Sequence, residues 1–359
     1  MDGIDNKYIK NAITNLANVI GVKENVEKHV FTTLISEGKV KESIGLIANY
    51  LGLPVKINLS YVPKGYRADS TNNFDSTCLV KTDWRGRGTS GITAQVYIPS
   101  NLPLYGSPSL NNFPITVKIS EDCAENKETF IAVMAHELSH IVLASLRHPE
   151  KDNEIYTDIA SLMLGFSGIT QEGRKVVNST QNGYTIETQT VTYGYLSDEQ
   201  FSFAIIHINE IVSRYKTQQN SLKDKINVLE CNLGKGRKMI ADFQGCLAYV
   251  DKNLNRKVSQ ADGYSISSFH QVGYTDDFRQ AIAKTENDLK RFNSFVKSLS
   301  QCCNENIFNR SKQYEENFSR VSGELDLKYN KLKDDIKILK RYVSFGYKLK
   351  SFFKVYFGN

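Results

Sequence analysis

Proline is distributed very unevenly along this chain. All seven prolines of the 359 residues lie at or before position 149. A proline inside a helix removes a backbone hydrogen bond, so the long proline-free stretch can form extended helices, whereas turns interrupt the part before it. The sequence therefore predicts an α+β fold with a mixed first half and a mostly α-helical second half.

The first half contains segments with two kinds of hydrophobic spacing. Residues 5–20, 24–36 and 39–52 have the spacing of short amphipathic helices. The segments VKINLSYV (55–62), GITAQVYIP (91–99) and PITVKISED (114–122) alternate as strands do, and loops separate them at 63–76, 85–90 and 100–113. We therefore expect a helical N-terminal part over 1–53 and a short mixed sheet. PITVKISED is expected to be an edge strand that leads into the next helix.

Three further elements are predicted behind the sheet. Hydrophobic spacing predicts a helix over about 127–146, a turn at RHPEKD, and a second helix from Asn153 to about Phe166. The segment ETQTVTYGYLSDEQFSF predicts a strand followed by a helix that begins at Ser197. Gln200 stands at the position where a capping box places its second member.

The second half has apolar residues at helical spacing. They are Phe278, Ile282, Leu289, Phe292, Val296 and Leu299, then Phe318, Val321, Leu325, Tyr329, Leu332, Ile336 and Leu339. Such faces need partner helices, and they predict a helical hairpin, a bundle or a coiled coil, with a plain core face as the simplest interpretation. GKGR at 234–237 lacks the pattern of a phosphate-binding loop and is interpreted as a helix break.

Charge divides the chain in the same way. Residues 210–359 contain 27 Lys/Arg and 17 Asp/Glu, against 18 and 22 for residues 1–209. We therefore predict two domains, 1–209 and 210–359. The basic, aromatic tail KILKRYVSFGYKLKSFFKVYFGN could contact an acidic protein, a nucleic acid or a membrane surface, or could be the last helix of the bundle with its lysines turned outward.

The six cysteines and the N-terminal segment indicate the cellular compartment of the protein. The cysteines are scattered and form no CxxC, which favours free thiols in a reducing environment. The first residues lack the layout of a secretion signal, and no run of about 18 apolar residues predicts a transmembrane helix. We expect a cytoplasmic protein.

The segment VMAHELSHIVLAS, residues 133–145, places three ionisable side chains in an apolar helix. His136 and His140 are four residues apart, so their imidazoles share one face and can provide two ligands of a tetrahedral Zn²⁺. Glu137 lies beside them, where it can take a proton from a metal-bound water without binding the metal. Buried charges without partners are costly, so a metal site is the preferred interpretation.

The following helix provides the missing ligand. Glu154 and Asp158 are again one turn apart, and the turn around Pro149 would fold their helix back onto the first. Glu154 is then expected to bind the metal. Asp158 is expected to accept a hydrogen bond from the outer N–H of a ligand histidine and so to fix its tautomer.

HELSH followed by NEIYTD resembles the zincin metallopeptidases of the gluzincin type. The resemblance implies that His136, His140 and Glu154 bind zinc, that Glu137 is the general base and that Asp158 supports a histidine. The spacing between the two motifs is shorter here than in thermolysin, a member of that family. The order of PITVKISED and the motif helix is more like the compact cytosolic gluzincins of bacterial regulatory and stress systems. The resemblance covers roughly residues 110–170.

A hydrolase of this kind needs a further donor to stabilise the oxyanion. The candidates are Tyr193, Tyr195, His148, Arg174 and His207. Tyr195 is preferred because it ends a predicted strand just before a helix, whereas His207 lies on an apolar helix face and is more simply a core histidine.

The sequence thus predicts a zinc-dependent peptidase that acts on a protein or peptide substrate. The helical C-terminal region would serve regulation or partner binding. The alternative is a catalytically silent, zincin-like interaction protein that acts through its basic helical region.

Overall fold

The computed structural model describes residues 5–63, 76–79, 81–82, 92–182, 185–254, 266–301 and 305–344. The fold is α+β, as predicted, with a mostly helical C-terminal region. Contacts divide the chain into two compact units, one up to Arg214 with Cys302–Asn306, the other over Tyr215–Gln301 and from Ile307 on. The sequence prediction puts this division at 209/210. Among the described helices, none combines the length and apolar character that crossing a bilayer requires.

The first unit begins with three short helices, α1 (Asn6–Val19), α2 (Lys28–Ser36) and α3 (Val40–Tyr50). Each buries one apolar face, as Ile9, Ile13 and Leu16 do on α1. This spacing of three to four residues is that of an amphipathic helix packed on a core. The predicted helical N-terminal part is therefore confirmed over the described residues.

A four-stranded mixed sheet follows these helices. Its strands are β1 (Lys56–Val62), β2 (Ser76–Leu79), β4 (Ile92–Val96) and β5 (Pro114–Ser120), in the order β1-β5-β4-β2. β1 and β5 are parallel, and β4 is antiparallel to both of its neighbours. The prediction that PITVKISED is an edge strand is wrong, because β5 lies between β1 and β4. From Ile115 to Ile119 its buried residues alternate with half-buried ones, because successive side chains of a strand point to opposite faces of the sheet.

A second, antiparallel sheet consists of β3 (Lys81–Thr82), β6 (Lys175–Asn182) and β7 (Thr185–Thr192), in the order β3-β7-β6. β7 is the strand that the sequence predicts before Ser197, whereas β6 is not predicted. Most of the predicted loops at 63–76 and 85–90 lie outside the described residues. In the described part, Cys123, Cys231 and Cys246 are free thiols.

The core of the first unit surrounds α4 (Lys127–Ser145), which is buried on all sides from Thr129 to Ser145. α4 packs against α5 (Glu154–Ser161) and α6 (Ser167–Gly173), and one wide turn at Leu162–Phe166 joins the last two helices. Gly165 lies inside this turn with φ +104°, and its carbonyl accepts a hydrogen bond from Val26 N at 2.9 Å. A Cβ on Gly165 would lie 2.5 Å from Glu24 O, so only glycine fits.

In its described residues, the second unit contains three long helices that pack as a bundle. It is formed by the later part of α7 (Asp198–Leu254), by α8 (Asp276–Gln301) and by α9 (Glu305–Val343). Contacts between α8 and α9 pair Phe292 with Phe318 and Lys284 with Glu324, so these two helices are antiparallel. The apolar faces predicted from the sequence form the buried core, and Leu289 and Tyr329 are half-buried at its margin.

The expected helix break at 234–237 is wrong, because α7 is continuous through these residues. Gly236 has a packing role instead. A Cβ there would lie 2.1 Å from Tyr329 Oη, and this hydroxyl donates a hydrogen bond to Asn232 O. Glycine therefore lets α9 approach α7 closely without ending the helix.

Candidate metal centre

α4 carries ionisable side chains through the interior of the first unit. Asn126 caps its first turn by accepting a hydrogen bond from Thr129 N at 3.2 Å. His136, Glu137 and His140 are all buried, and Glu137 has no exposed surface. Buried ionisable groups are costly unless they have partners, so the neighbouring elements must provide them.

α5 provides most of these partners from one face. Its first turn is capped by Asn153, whose side-chain oxygen accepts a hydrogen bond from Ile155 N at 3.1 Å. Glu154, Thr157 and Asp158 follow at positions i, i+3 and i+4, which lie on one side of a helix. All three point toward the imidazoles of α4.

Three donor atoms converge between the two helices. Glu154 Oε2 lies 3.1 Å from His136 Nε2 and 3.2 Å from His140 Nε2. The ligand atoms of the three residues are all within 4.8 Å of one another. Ligands at about 2.0–2.1 Å from a tetrahedral Zn²⁺ are separated by roughly 3.3 Å, so two of the three separations already match such a site.

The outer nitrogen of His136 is fixed by a carboxylate. His136 Nδ1 lies 2.7 Å from Asp158 Oδ1, and an ionised carboxylate only accepts hydrogen bonds, so Nδ1 carries a proton. Asp158 is itself held in place, because its Oδ2 accepts from Tyr195 N at 2.6 Å and from Leu196 N at 3.2 Å. The backbone turns toward Asp158 at Gly194, whose φ is +93°.

The outer nitrogen of His140 has a different partner. Its Nδ1 lies 3.3 Å from Thr157 Oγ1, and Thr157 Oγ1 also lies 3.2 Å from Asn153 O. Thr157 is not among the residues predicted from the sequence, and neither are the backbone amides of Tyr195 and Leu196. A hydroxyl three residues after a predicted ligand was the only sequence signal for Thr157.

His136 and Glu154 shift each other's pKa. Burial lowers the pKa of His136, but its hydrogen bonds to Asp158 and Glu154 outweigh burial and raise the pKa to about 10. Partial burial raises the pKa of Glu154, but the two imidazoles outweigh it and lower the pKa to about 2. The carboxylates thus favour a positive charge between the helices, carried by a proton or by a metal ion.

The donor atoms of the site are suited to bind a metal ion. His140 Nε2 is buried and makes no hydrogen bond with the described residues, although it faces Glu154. A buried nitrogen in this state is expected to have a further partner. Two imidazoles and one carboxylate form a donor set that Zn²⁺ accepts, and the described residues contribute no fourth ligand to the group.

Glu137 lies on the same helix as the two imidazoles, and its negative charge contributes to the raised pKa of His136. The same charge acts on Cys123. The pKa of this thiol is raised to about 12, first by burial and then by the charges of Asp122 and Glu137. Cys123 is therefore a protonated, inert thiol at neutral pH.

A small, partly open cleft adjoins His136. Its wall includes Val133, Arg174, Tyr193 and Tyr195. Arg174 is buried, donates from Nη2 to Leu196 O at 2.7 Å, and stacks over the Phe201 ring at 4.2 Å. Burial lowers the pKa of this guanidinium.

The predicted oxyanion donors separate into two groups. The ring of Tyr195 stacks on His136 with centroids 5.7 Å apart, and Tyr193 and Arg174 line the same cleft. His148 packs on Tyr156 instead and accepts a hydrogen bond from Glu150 N. His207 stacks on Phe203 and lies 3.3 Å from Glu210. The contacts of these two histidines in the described part do not include the metal-ligand candidates.

Comparison with models of known protein families gave no match, and comparisons with curated proteins and with solved structures gave none either. Only the chemistry of the site therefore bears on the function.

Proposed function

We propose that the protein is a zinc-dependent peptidase that hydrolyses peptide bonds of a protein or peptide substrate. The observation that carries the proposal is the convergence of His136, His140 and Glu154, with the buried Glu137 on the same helix as the two histidines and its negative charge acting on His136. Catalytic zinc sites use three protein ligands of these types and leave one position for water or substrate. A purely structural zinc site has four protein ligands and no use for an adjacent base.

Different residues of the chain would have different roles in such a site. When bound, Zn²⁺ would lower the pKa of a water molecule toward the neutral range and polarise a substrate carbonyl. Glu137 accepts the proton of the attacking water on its carboxylate and later donates that proton to the leaving amine. Asp158 holds the proton of His136 at Nδ1, which leaves Nε2 as the ligand atom.

Tyr195 is the proposed donor to the oxyanion. Its ring stacks on His136 and lines the cleft, and its backbone is fixed through the hydrogen bond from Tyr195 N to Asp158. A phenol in this position can donate a hydrogen bond to a carbonyl oxygen that becomes negative in the transition state. Arg174 and Tyr193 remain alternatives from the same wall.

The proposal includes a gluzincin-type zincin as the first unit, followed by a regulatory or partner-binding helical region. The order β5–α4–α5 supports the first part of this proposal. The basic tail is proposed to bind an acidic protein, a nucleic acid or a membrane surface. Residues 345–359 of this tail lie outside the described residues.

Metal content and cleavage, measured on the same purified proteins, test the proposal. The wild-type chain should contain about one equivalent of zinc and should generate new termini in a peptide library. Glu137→Gln should keep the zinc and lose cleavage, because only the proton acceptor is removed. Glu128→Gln is the matched control, since Glu128 lies half-exposed in the first turn of the same helix. A chain without zinc, or cleavage by Glu137→Gln at the wild-type rate, would overturn the proposal.

A further inference from the structure

The two imidazoles of the candidate metal centre are supported by different groups. Asp158 Oδ1 holds Nδ1 of His136 at 2.7 Å, whereas Thr157 Oγ1 lies 3.3 Å from Nδ1 of His140. Thr157 is completely buried, so no solvent competes for its hydroxyl. The hydroxyl and the carboxylate are neighbours in sequence, yet each reaches a different histidine.

The direction of the hydrogen bond between Thr157 and His140 follows from the number of protons. A threonine hydroxyl has one hydrogen to donate and two lone pairs that accept. Asn153 O lies 3.2 Å from Thr157 Oγ1, and a backbone carbonyl only accepts, so this contact is a hydrogen bond when the hydroxyl donates to it. With the hydroxyl hydrogen on Asn153 O, Thr157 Oγ1 accepts from His140, and the hydrogen of the imidazole then lies on Nδ1.

This hydrogen bond determines the state of the other ring nitrogen. A neutral imidazole with its hydrogen on Nδ1 has a lone pair on Nε2. In this chain Nε2 of His140 is buried, faces Glu154 Oε2 at 3.2 Å and makes no hydrogen bond with the described residues. A lone pair that faces a carboxylate oxygen is unfavourable unless a cation lies between them.

We propose that Thr157 is the positioning residue for His140, and that its hydroxyl selects the imidazole tautomer that binds the metal. This inference rests on the proposed zinc site and adds to it the residue that prepares the second histidine. Three residues on one face of α5 then have different roles at the metal. Glu154 is a ligand, Thr157 orients His140, and Asp158 orients His136.

Two substitutions separate the hydroxyl from the shape of the side chain. Thr157→Val keeps the branched shape and removes the acceptor, which leaves the His140 N–H without its partner. Thr157→Ser keeps the hydroxyl and removes a methyl group, so it is the rescue variant. Both leave Glu137 and all three ligands unchanged.

The first readout is the dissociation constant for zinc, measured on the full chain by competition with a chromogenic chelator. Partners of ligand histidines typically change metal affinity by about 10–100-fold, so Thr157→Val should bind zinc weaker by about that factor. Thr157→Ser should stay close to wild type. Equal affinities of wild type and Thr157→Val would overturn the assignment, as would an equal loss in both variants.

The second readout is the tautomer of His140 in the metal-free protein. Nitrogen chemical shifts of the imidazole, recorded at about pH 9, distinguish a hydrogen on Nδ1 from one on Nε2. The wild type should have it on Nδ1, and Thr157→Val should lose this preference, while His136 keeps its Nδ1 proton. A wild-type His140 with the hydrogen on Nε2 would overturn the assignment.

The two proposals fail in different ways. A wild-type chain that binds no zinc would overturn the proposed function and the role of Thr157 together. Tight zinc binding that is indifferent to the Thr157 hydroxyl would overturn the role of Thr157 alone.

Discussion

Replacing Asp158 by asparagine tests how the support of His136 is organised. The carboxylate accepts three hydrogen bonds, from His136 Nδ1 at 2.7 Å, Tyr195 N at 2.6 Å and Leu196 N at 3.2 Å. An asparagine amide has one oxygen and one NH₂ group, so in either orientation a donor faces a donor. Asp158→Asn therefore cannot keep all three hydrogen bonds, although it preserves the shape of the side chain.

The two orientations of the amide have different consequences. If its NH₂ group faces the backbone, the N–H groups of Tyr195 and Leu196 lose their acceptor. Two hydrogen bonds to a charged group are then lost, and we expect the free energy of unfolding of the metal-free protein to fall by about 3–6 kcal/mol. If the NH₂ group faces His136, the imidazole must carry its proton on Nε2. Zinc affinity should then fall by about 10–100-fold.

Urea unfolding and zinc competition distinguish these outcomes. Asp198→Asn is the matched control, because Asp198 is largely exposed and pairs with the exposed Lys175, while the buried Arg174 lies 3.5 Å away. Exposed ion pairs contribute up to about 1 kcal/mol, so this control should change stability little and zinc affinity not at all. If Asp158→Asn matched the control in both measurements, the argument that Asp158 fixes His136 and the backbone would be refuted.

Two further predictions concern packing in the helical unit and protonation in the metal-free site. Gly236→Ala should destabilise the protein by about 1–3 kcal/mol in urea unfolding, because its Cβ would lie 2.1 Å from Tyr329 Oη. Gly234→Ala, which has open space, should be neutral or should stabilise the helix by up to about 1 kcal/mol, and equal effects of the two changes would contradict this packing. The raised pKa of His136, about 10, contributes stability below the usual imidazole value of about 6.5, and this contribution is lost as pH rises toward 10. The unfolding free energy of chelator-treated protein should therefore fall over that window, His136→Gln should lack this part of the slope, and identical slopes would contradict it.

The sequence predicted those parts of the site that depend on local periodicity. His136 and His140 share a face because they are four residues apart, and the same spacing places Glu154 and Asp158 together on α5. The capping box at Ser197 and Gln200 is also confirmed, with reciprocal hydrogen bonds of 2.9 and 3.2 Å. Such features involve residues within one or two turns of each other, so the sequence displays them directly.

Long-range relations were not predictable in the same way. The interior position of β5 depends on its pairing with β1 and β4, which are far from it in sequence. Likewise, glycine is a poor helix former, so Gly236 favours a helix break in the sequence. Only the neighbouring Tyr329 explains why glycine stands at this point of a continuous helix. The role of Thr157 depends on which ring nitrogen it meets, and spacing alone does not determine that.

X-ray absorption at the zinc edge, recorded on the purified full chain, tests the central claim most directly. The account predicts a four-coordinate ion with nitrogen and oxygen ligands at about 2.0–2.1 Å, including scattering from two imidazole rings. His140→Gln should reduce the imidazole signal by half. Zinc bound through sulfur at about 2.3 Å, or a spectrum that His140→Gln leaves unchanged, would contradict the assignment of His136, His140 and Glu154 as the metal centre.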